Sequence, residues 1–298
     1  MVILSGSSNP ALGRSLAGKL DVSLIDREMS RFPDGSIRIR ITGDVHGDAV
    51  VIVQSLQNPI HDHLVEVLLL VDAAKESGAK TVIAVIPWLA YSKQDQAFLS
   101  GEPVSVRAIA RAISGCGADR VVLVDLHHDS IEKFFSIPVT HASFMDEFVA
   151  ALRPGVNQQT VVVSPDAGGL ERSAHVAKKL GIPMLEVKKE RSRTTGAVTV
   201  LSQTISVAGK RCFVVDDLIE TGTTVTKIGN FLKDNGAAEV IFAATHGLFS
   251  AGWEPILRSR VDRVYVSDSV PLPAGAPPSV TVLPLAPVFA RALKGIRA

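Results

Sequence analysis

Asp216 and Asp217 stand side by side directly after an apolar run, Cys212 to Val215, and two residues further on the chain reads Glu220-Thr221-Gly222-Thr223-Thr224. The apolar run suits a buried parallel strand. Val225, Ile228, Phe231 and Leu232 then recur at helical spacing before Gly236, so a helix follows the hydroxyl-rich turn at once. Free backbone N–H groups at the start of that helix, with the helix dipole behind them, make a seat for a phosphate. The two carboxylates suit hydrogen bonds from sugar hydroxyls, or a metal ion. Phosphate beside polyol points to a sugar phosphate. The structural alternative is a capped strand-to-helix turn in which Asp217 and Thr221 serve only the backbone, although such a turn needs one capping side chain rather than two adjacent acids.

Other chemistry-bearing residues also follow apolar runs. His127 comes after Val121 to Val124 in Asp125-Leu126-His127-His128, and Asp166 comes after Val161 to Val163 in Ser164-Pro165-Asp166-Ala167-Gly168-Gly169. Ligands of doubly wound sheets collect outside the carboxyl ends of the strands, where both residues are expected. One imidazole and one carboxylate, with water, suit a divalent ion that also grips nucleotide phosphates. Taken singly, His127 reads first as a strand-end cap. Lys189 and Arg191 flank Glu190 after the strand-like Pro183 to Val187. They read either as a solvated turn or as cations that stabilise a phosphoryl group in transfer. The segment from Tyr91 to Glu102 has no apolar period and carries Lys93, Gln94 and Asp95, as expected of a mobile loop that closes over such a site.

An α/β frame must position these groups. Short apolar runs read as strands at Val2 to Ser5, Leu24 and Ile25, Val50 to Val53, Thr81 to Ile86, Val121 to Val124, Val161 to Val163, Pro183 to Val187, Cys212 to Val215, Glu239 to Thr245 and Val264 to Ser267. Leu24 and Ile25 start a strand that Arg31 to Ser36 interrupts with Pro and Gly in a turn. Ile37, Ile39 and Ile41 then alternate with Arg38 and Arg40 as a half-exposed strand, and Ala197 to Val207 reads as an exposed antiparallel excursion. Amphipathic helices between the buried runs predict a parallel sheet in each half. Gly47 to Ser55 lines up with Gly209 to Asp217, an internal echo in which Gln54 and Ser55 stand where the second copy has its acids. The expected boundary lies near Pro138 to Ser143, giving domains 1–141 and 142–298. A chain of 298 residues is long enough for both, and 46% hydrophobic residues fit a globular protein. A net charge of +1 carries no electrostatic footprint for nucleic acid or an anionic membrane. With no apolar run of membrane-spanning length and no basic entry to a signal peptide, a cytoplasmic protein is expected. Cys116 and Cys212 read as small core residues.

Cys212 to Thr224 resembles the ribose-5-phosphate loop of the type I phosphoribosyltransferase fold. Over nearly its whole length the chain resembles the ribose-phosphate diphosphokinase, or phosphoribosyl pyrophosphate synthetase, family. Phe32-Pro33-Asp34-Gly35 matches that family's Phe-x-Asp-Gly-Glu with Ser36 in place of Glu, and Tyr91-Ser92-Lys93-Gln94-Asp95 matches Tyr-Ser-Arg-Gln-Asp with Lys93 in place of Arg. Asp125-Leu126-His127, Ser164 to Gly169, Lys189-Glu190-Arg191 and Thr245 to Ser250 follow in the family's order, with Ser130 where a Gln is usual.

The resemblance implies two tandem phosphoribosyltransferase-like domains related by duplication. The first lies on the nucleotide side with a degenerate sugar loop, the second carries the ribose-5-phosphate loop, and the tail 284–298 packs back on the first. It implies an enzyme that transfers diphosphate from Mg-ATP to the C1 hydroxyl of ribose 5-phosphate, giving phosphoribosyl pyrophosphate and AMP. Lys189 and Arg191 are then catalytic, with Arg191 also at the sugar phosphate beside Asp216, Asp217, Glu220, Thr221, Gly222, Thr223 and Thr224. Phe32, Asp34, Gly35, Ser36, Lys93, Gln94 and Asp95 meet ATP, and His127 and Asp166 hold Mg2+. Because the Phe32 segment reaches a neighbouring subunit's adenine in that family, a homo-oligomer is implied. A phosphoribosyltransferase and a non-catalytic regulatory paralogue are the alternatives. Ser36 and Lys93 both fall in the nucleotide contacts, so an altered nucleotide preference is expected; Lys keeps the charge of Arg but loses its planar fork.

Overall fold

The computed structural model describes residues 1–187, 189–191, 198–200 and 206–296, with the backbone alone for 189–191 and 198–200. The chain divides into two compact units, one of Met1–Ser143 with Ser269–Pro271 and Pro284–Ala298, the other of Phe144–Asp268 with Leu272–Leu283. The first contains β1 (Val2–Ser5), α1 (Pro10–Leu20), β2 (Leu24–Ile25), a hairpin of β3 (Arg27–Arg31) and β4 (Ile37–Ile41), β5 (Ala49–Val53), α2 (Ile60–Glu76), β6 (Thr81–Ile86), α3 (Ser105–Gly115), β7 (Arg120–Val124) and β8 (Val139–Ala142). Its main sheet is parallel throughout, in the order β2-β1-β5-β6-β7-β8. β5 is buried at every residue, as a strand covered on both faces by helices must be.

The second unit contains α4 (Met145–Leu152), β9 (Thr160–Ser164), α5 (Leu170–Leu180), β10 (Met184–Glu186), an antiparallel ribbon of β11 (Lys189–Arg191) and β12 (Val198–Val200), β13 (Arg211–Ile219), α6 (Thr223–Asp234), β14 (Glu239–Gly247), α7 (Glu254–Arg258), β15 (Arg263–Ser267) and β16 (Val280–Leu283). Its parallel sheet runs β10-β9-β13-β14-β15-β16, the same winding as the first. The last helix, α8 (Ala286–Lys294), belongs to the first unit and packs on α1 and β8, with Val288, Phe289 and Leu293 buried. No helix among the described residues is long and apolar enough to cross a membrane.

The echo between the halves extends to loop hydrogen bonds. Gly47 N–H donates to Gly78 C=O at 2.8 Å, and Gly209 N–H donates to Gly236 C=O at the same 2.8 Å. All four glycines have positive φ, between 71° and 84°, a region other residues enter at a cost.

The strand that starts at Leu24 is split into β2 and β3, with the expected turn after Arg31, while β8, β16, α4 and α7 were not expected from the sequence. β3 is polar and almost wholly exposed, held by pairing with β4 rather than by burial, and β8 is a short edge strand lying where a linker was expected. Of the excursion from Ala197 to Val207, β12 pairs antiparallel with β11, while residues 197 and 201–205, like Lys188, lie outside the described residues. Cys212 is buried, which pushes its thiol up to about 11, and Cys116 is half-buried and packs against the core of the first unit.

Candidate active site

In the second unit the strand order reverses between β9 and β13. β9, α5 and β10 wind to one side, and β13, α6 and β14 wind to the other. That is the switch point at which such sheets bind ligands. β13 pairs with β9 as far as Val214↔Val163 but with β14 as far as Ile219↔Gly247. Asp216 and Asp217 therefore do not follow the strand, as the sequence reading had it. They lie inside a nine-residue strand, past the point where β9 leaves it, at the mouth of the crevice. Leu218 and Ile219 prolong the strand because they are buried and continue its pairing with β14.

Both acids are buried. Asp216 Oδ1 accepts the N–H of Asp217 at 2.9 Å, and Asp217 Oδ1 accepts from Arg172 Nη2 at 3.0 Å. Arg172 Nη2 lies 3.8 Å from Asp216 Oδ1. Burial above all, then the charge of Asp217 and its hydrogen bond, then the charge of Asp166, push the Asp216 carboxyl well above the usual carboxylate range, against the pull of Arg172. Sequence reasoning missed Arg172, since a lone cation in a charged helix looks solvated. A signal was available: it immediately precedes Ser173, which begins the buried face Ser173, Val176, Ala177 and Leu180 of α5. Its Nε is buried and has no partner among the described residues.

Asp166 caps the short 3-10 turn Ala167–Gly169, its Oδ1 accepting from Gly169 N–H at 3.2 Å. Gly168 and Gly169 thus lie before α5 rather than opening it. Two neighbouring acids, a third carboxylate within electrostatic reach and one guanidinium leave the crevice net negative, which fits a hard dication with oxygen ligands. Among the described residues no three His, Cys, Asp or Glu side chains converge on one ion position, so a metal here would take further ligands from water or substrate oxygens.

Glu220, Thr221 and Gly222 turn the chain from β13 into α6. Gly222 sits at φ +83°, and a Cβ there would lie 2.9 Å from Pro255 Cβ, so glycine is required on both counts. The N-cap Gly222 has no side chain to cap α6; Thr221 Oγ1 lies 2.9 Å from Thr223 Oγ1 and accepts Thr223 N–H at a long 3.4 Å, and Asp217 accepts from Arg172. The first N–H groups of α6, from Thr223 and Thr224 onward, are the helix-terminal donors an anion needs. Of the structural alternative, the Thr221 half holds, since its hydroxyl meets the backbone of the turn, while Asp217 takes Arg172 as a partner.

The equivalent crevice in the first unit is filled by its own side chains. Gln54 Nε2 donates to Glu66 Oε2 at 2.6 Å, Gln54 Oε1 accepts Ser8 N–H at 3.1 Å, and Ser55 Oγ donates to Ser269 C=O at 2.6 Å. Glu66 also accepts Ser7 N–H at 2.8 Å and lies 3.4 Å from Arg27.

The remaining candidates are distributed as follows. Phe32 to Ser36 form the tip of the β3–β4 hairpin. There Gly35 takes φ +88°, Phe32 is 48% exposed, and Asp34 accepts both the N–H and the hydroxyl of Ser36, which hold its carboxyl below the usual range. Lys93 and Asp95 lie in the loop after Tyr91, whose hydroxyl meets His61 Nε2 at 2.8 Å, and Gln94 Oε1 accepts from Ser105 Oγ. His127 belongs to the first unit and Asp166 to the second. Lys189 and Arg191 are in β11, and their side chains lie outside the described residues.

Comparison with known proteins extends the same pattern. A family model described as the N-terminal domain of ribose phosphate pyrophosphokinase matches residues 1–117, and one described as a phosphoribosyl transferase domain matches residues 149–263. A ribose-phosphate pyrophosphokinase of Aquifex aeolicus is 35% identical over 99% of this chain and 95% of its own. One of Helicobacter hepaticus is 36% identical over the same shares. The crystal structure of a phosphoribosylpyrophosphate synthetase from Mycobacterium smegmatis superposes with a TM-score of 0.89 at 32% identity, covering 99% of this chain and 97% of that one. Since the likeness runs through both doubled sheets and from end to end, the chain belongs to the ribose-phosphate pyrophosphokinase family.

Proposed function

We propose that this protein transfers the β,γ-diphosphate of Mg-ATP to the C1 hydroxyl of ribose 5-phosphate, giving phosphoribosyl pyrophosphate and AMP. The observation that carries this reading is the glycine-capped start of α6 beside the Asp216–Asp217 pair, at the switch point of a chain whose full-length relatives bear that enzyme's name. The amides opening α6 hold the 5-phosphate, with the hydroxyls of Thr221, Thr223 and Thr224 and the carboxylate of Glu220 at the rim of the turn. Asp216 and Asp217 accept hydrogen bonds from the ribose hydroxyls, and Arg172 holds Asp217 in place while offsetting its charge.

Chemistry then needs the C1 oxygen placed in line with the β-phosphorus. The C1–O–Pβ bond forms, the bond to the α-phosphate oxygen breaks, AMP leaves and the hydroxyl proton is lost. Such transfers proceed by position and electrostatics. Lys189 meets the charge on the transferring group and Arg191 that of the sugar phosphate. His127 and Asp166 are the residues that would hold Mg2+, which would supply charge neutralisation to the ATP phosphates. Phe32, Asp34, Gly35, Ser36, Lys93, Gln94 and Asp95 form the nucleotide contacts. In this reading the Phe32 ring, exposed at the hairpin tip, serves a neighbouring subunit's nucleotide, the working form being a homo-oligomer that acts in the cytoplasm.

The test is AMP release from ATP and ribose 5-phosphate. AMP in step with phosphoribosyl pyrophosphate, lost in Lys189→Ala, is the expected result. Absence of AMP from both proteins means a non-catalytic paralogue.

A further inference from the structure

One imidazole outside the site bridges both ends of the loop that carries His127. After β7 the chain turns through Asp125, which has φ +36°, a left-handed conformation rare for a residue with a Cβ. The turn is stapled to the edge strand β8 by two bonds. Asp125 N–H donates to Ala142 C=O at 3.1 Å, and Leu126 N–H donates to His141 Nε2 at 3.0 Å. On its other side His141 Nδ1 meets Glu132 Oε1 at 2.9 Å, with Asp129 Oδ1 at 3.6 Å. Glu132 and Asp129 lie in the 3-10 turn Asp129–Phe134 that closes the loop. Because Nε2 accepts a backbone N–H, the ring proton resides on Nδ1 and is donated to Glu132. The ring is 20% exposed, and its strand position opposite Leu123 is fixed by the β7–β8 register.

We propose that His141 is a positioning residue for the metal–nucleotide site, holding the loop from Asp125 to Glu132 closed at both ends so that His127 is presented in one orientation. It touches no substrate and acts through the Leu126 amide and the Glu132 carboxylate. The proposal rests on the assignment of His127 to Mg–ATP above. A side chain that accepts at the Nε2 position replaces it, and an apolar one of similar size does not.

Three variants of the full chain separate the possibilities: His141→Gln, whose amide oxygen falls near the Nε2 position, His141→Leu, and His127→Ala as reference. Two quantities are read: exchange of the Leu126 amide without metal, and the Kd of Mn2+ in the presence of a non-hydrolysable ATP analogue, by electron paramagnetic resonance. His141→Leu is expected to speed Leu126 exchange and weaken Mn2+ about tenfold, the lower end of what lost outer-shell partners cost. His141→Gln should stay within about threefold of the wild type on the same scale, and ribose 5-phosphate binding should be unaltered in both. If His127→Ala weakens Mn2+ but His141→Leu does not, the positioning role is overturned while the metal assignment stands. Unchanged Mn2+ affinity in His127→Ala overturns both. Equal losses in the Gln and Leu variants also overturn the role, because they show that the ring's bulk matters and not its acceptor.

Discussion

Asp216 is buried beside two other carboxylates, and that placement has a definite consequence for stability. Its pKa in the fold is raised above the ordinary 3.8, so between those two values the folded protein binds the extra proton and the unfolded chain does not. Its favourable contribution is full below 3.8 and is lost as pH rises through the folded value, above which the ionised, buried carboxylate destabilises the fold. Asp216→Asn, which cannot ionise, is therefore expected to remove this fall in the Tm of the ligand-free protein with rising pH, while ribose 5-phosphate binding falls below detection. Calorimetric scans across that pH range, with and without the sugar, check both parts. Arg172→Gln acts in the opposite sense, leaving Asp217 buried without its cation, and should cost about 1–3 kcal/mol in urea denaturation as well as weakening the sugar. The acids were legible in the sequence because two carboxylates after an apolar run have few structural uses. Arg172 was not, because spacing within a helix does not reveal which cation the next strand's acids will claim.

At the level of elements, apolar runs such as β5, β6 and β9 declared themselves because burial on both faces excludes polar side chains. β3, β8 and β16 are edge or ribbon strands with partly exposed residues, and their pairing partners decide them more than their own composition. The length of β13 was hidden for a related reason. Its acids read as a strand end, whereas Leu218 and Ile219 continue the ladder with β14 and carry the acids inside it. The turn into α6 depends on one backbone conformation. Gly222→Ala must accept φ +83° and a contact at 2.9 Å with Pro255, so it should lose about 1–3 kcal/mol and move the start of α6. Sugar-phosphate affinity should fall in the same variant, which isothermal titration measures.

On the scale of the whole molecule, one winding is used twice with different contents. The first copy fills its crevice with Gln54 and Glu66, and the second leaves Asp216, Asp217 and the start of α6 for a ligand. The repeated Gly47 to Ser55 segment made the doubling visible in the sequence. The contents of each crevice were half visible, since Glu66 lies on the helix that follows Gln54 and nothing in its spacing shows that it turns back onto the strand end. Phe32→Asp at the exposed hairpin tip is expected to lower ATP affinity and shift the protein toward smaller species in sedimentation velocity; a fully active monomer contradicts the shared nucleotide site. Ser36 serves Asp34 in place of an acidic side chain, so discrimination between ATP and other triphosphates should be narrower than in relatives with Glu at that position.

The most direct measurement is a crystal soaked with ribose 5-phosphate. Density for the phosphate against the amides of Thr223, Thr224 and Val225, with ribose hydroxyls on Asp216 and Asp217, is the expected result. An empty crevice at saturating sugar, or the phosphate bound in the first unit beside Gln54, contradicts the assignment.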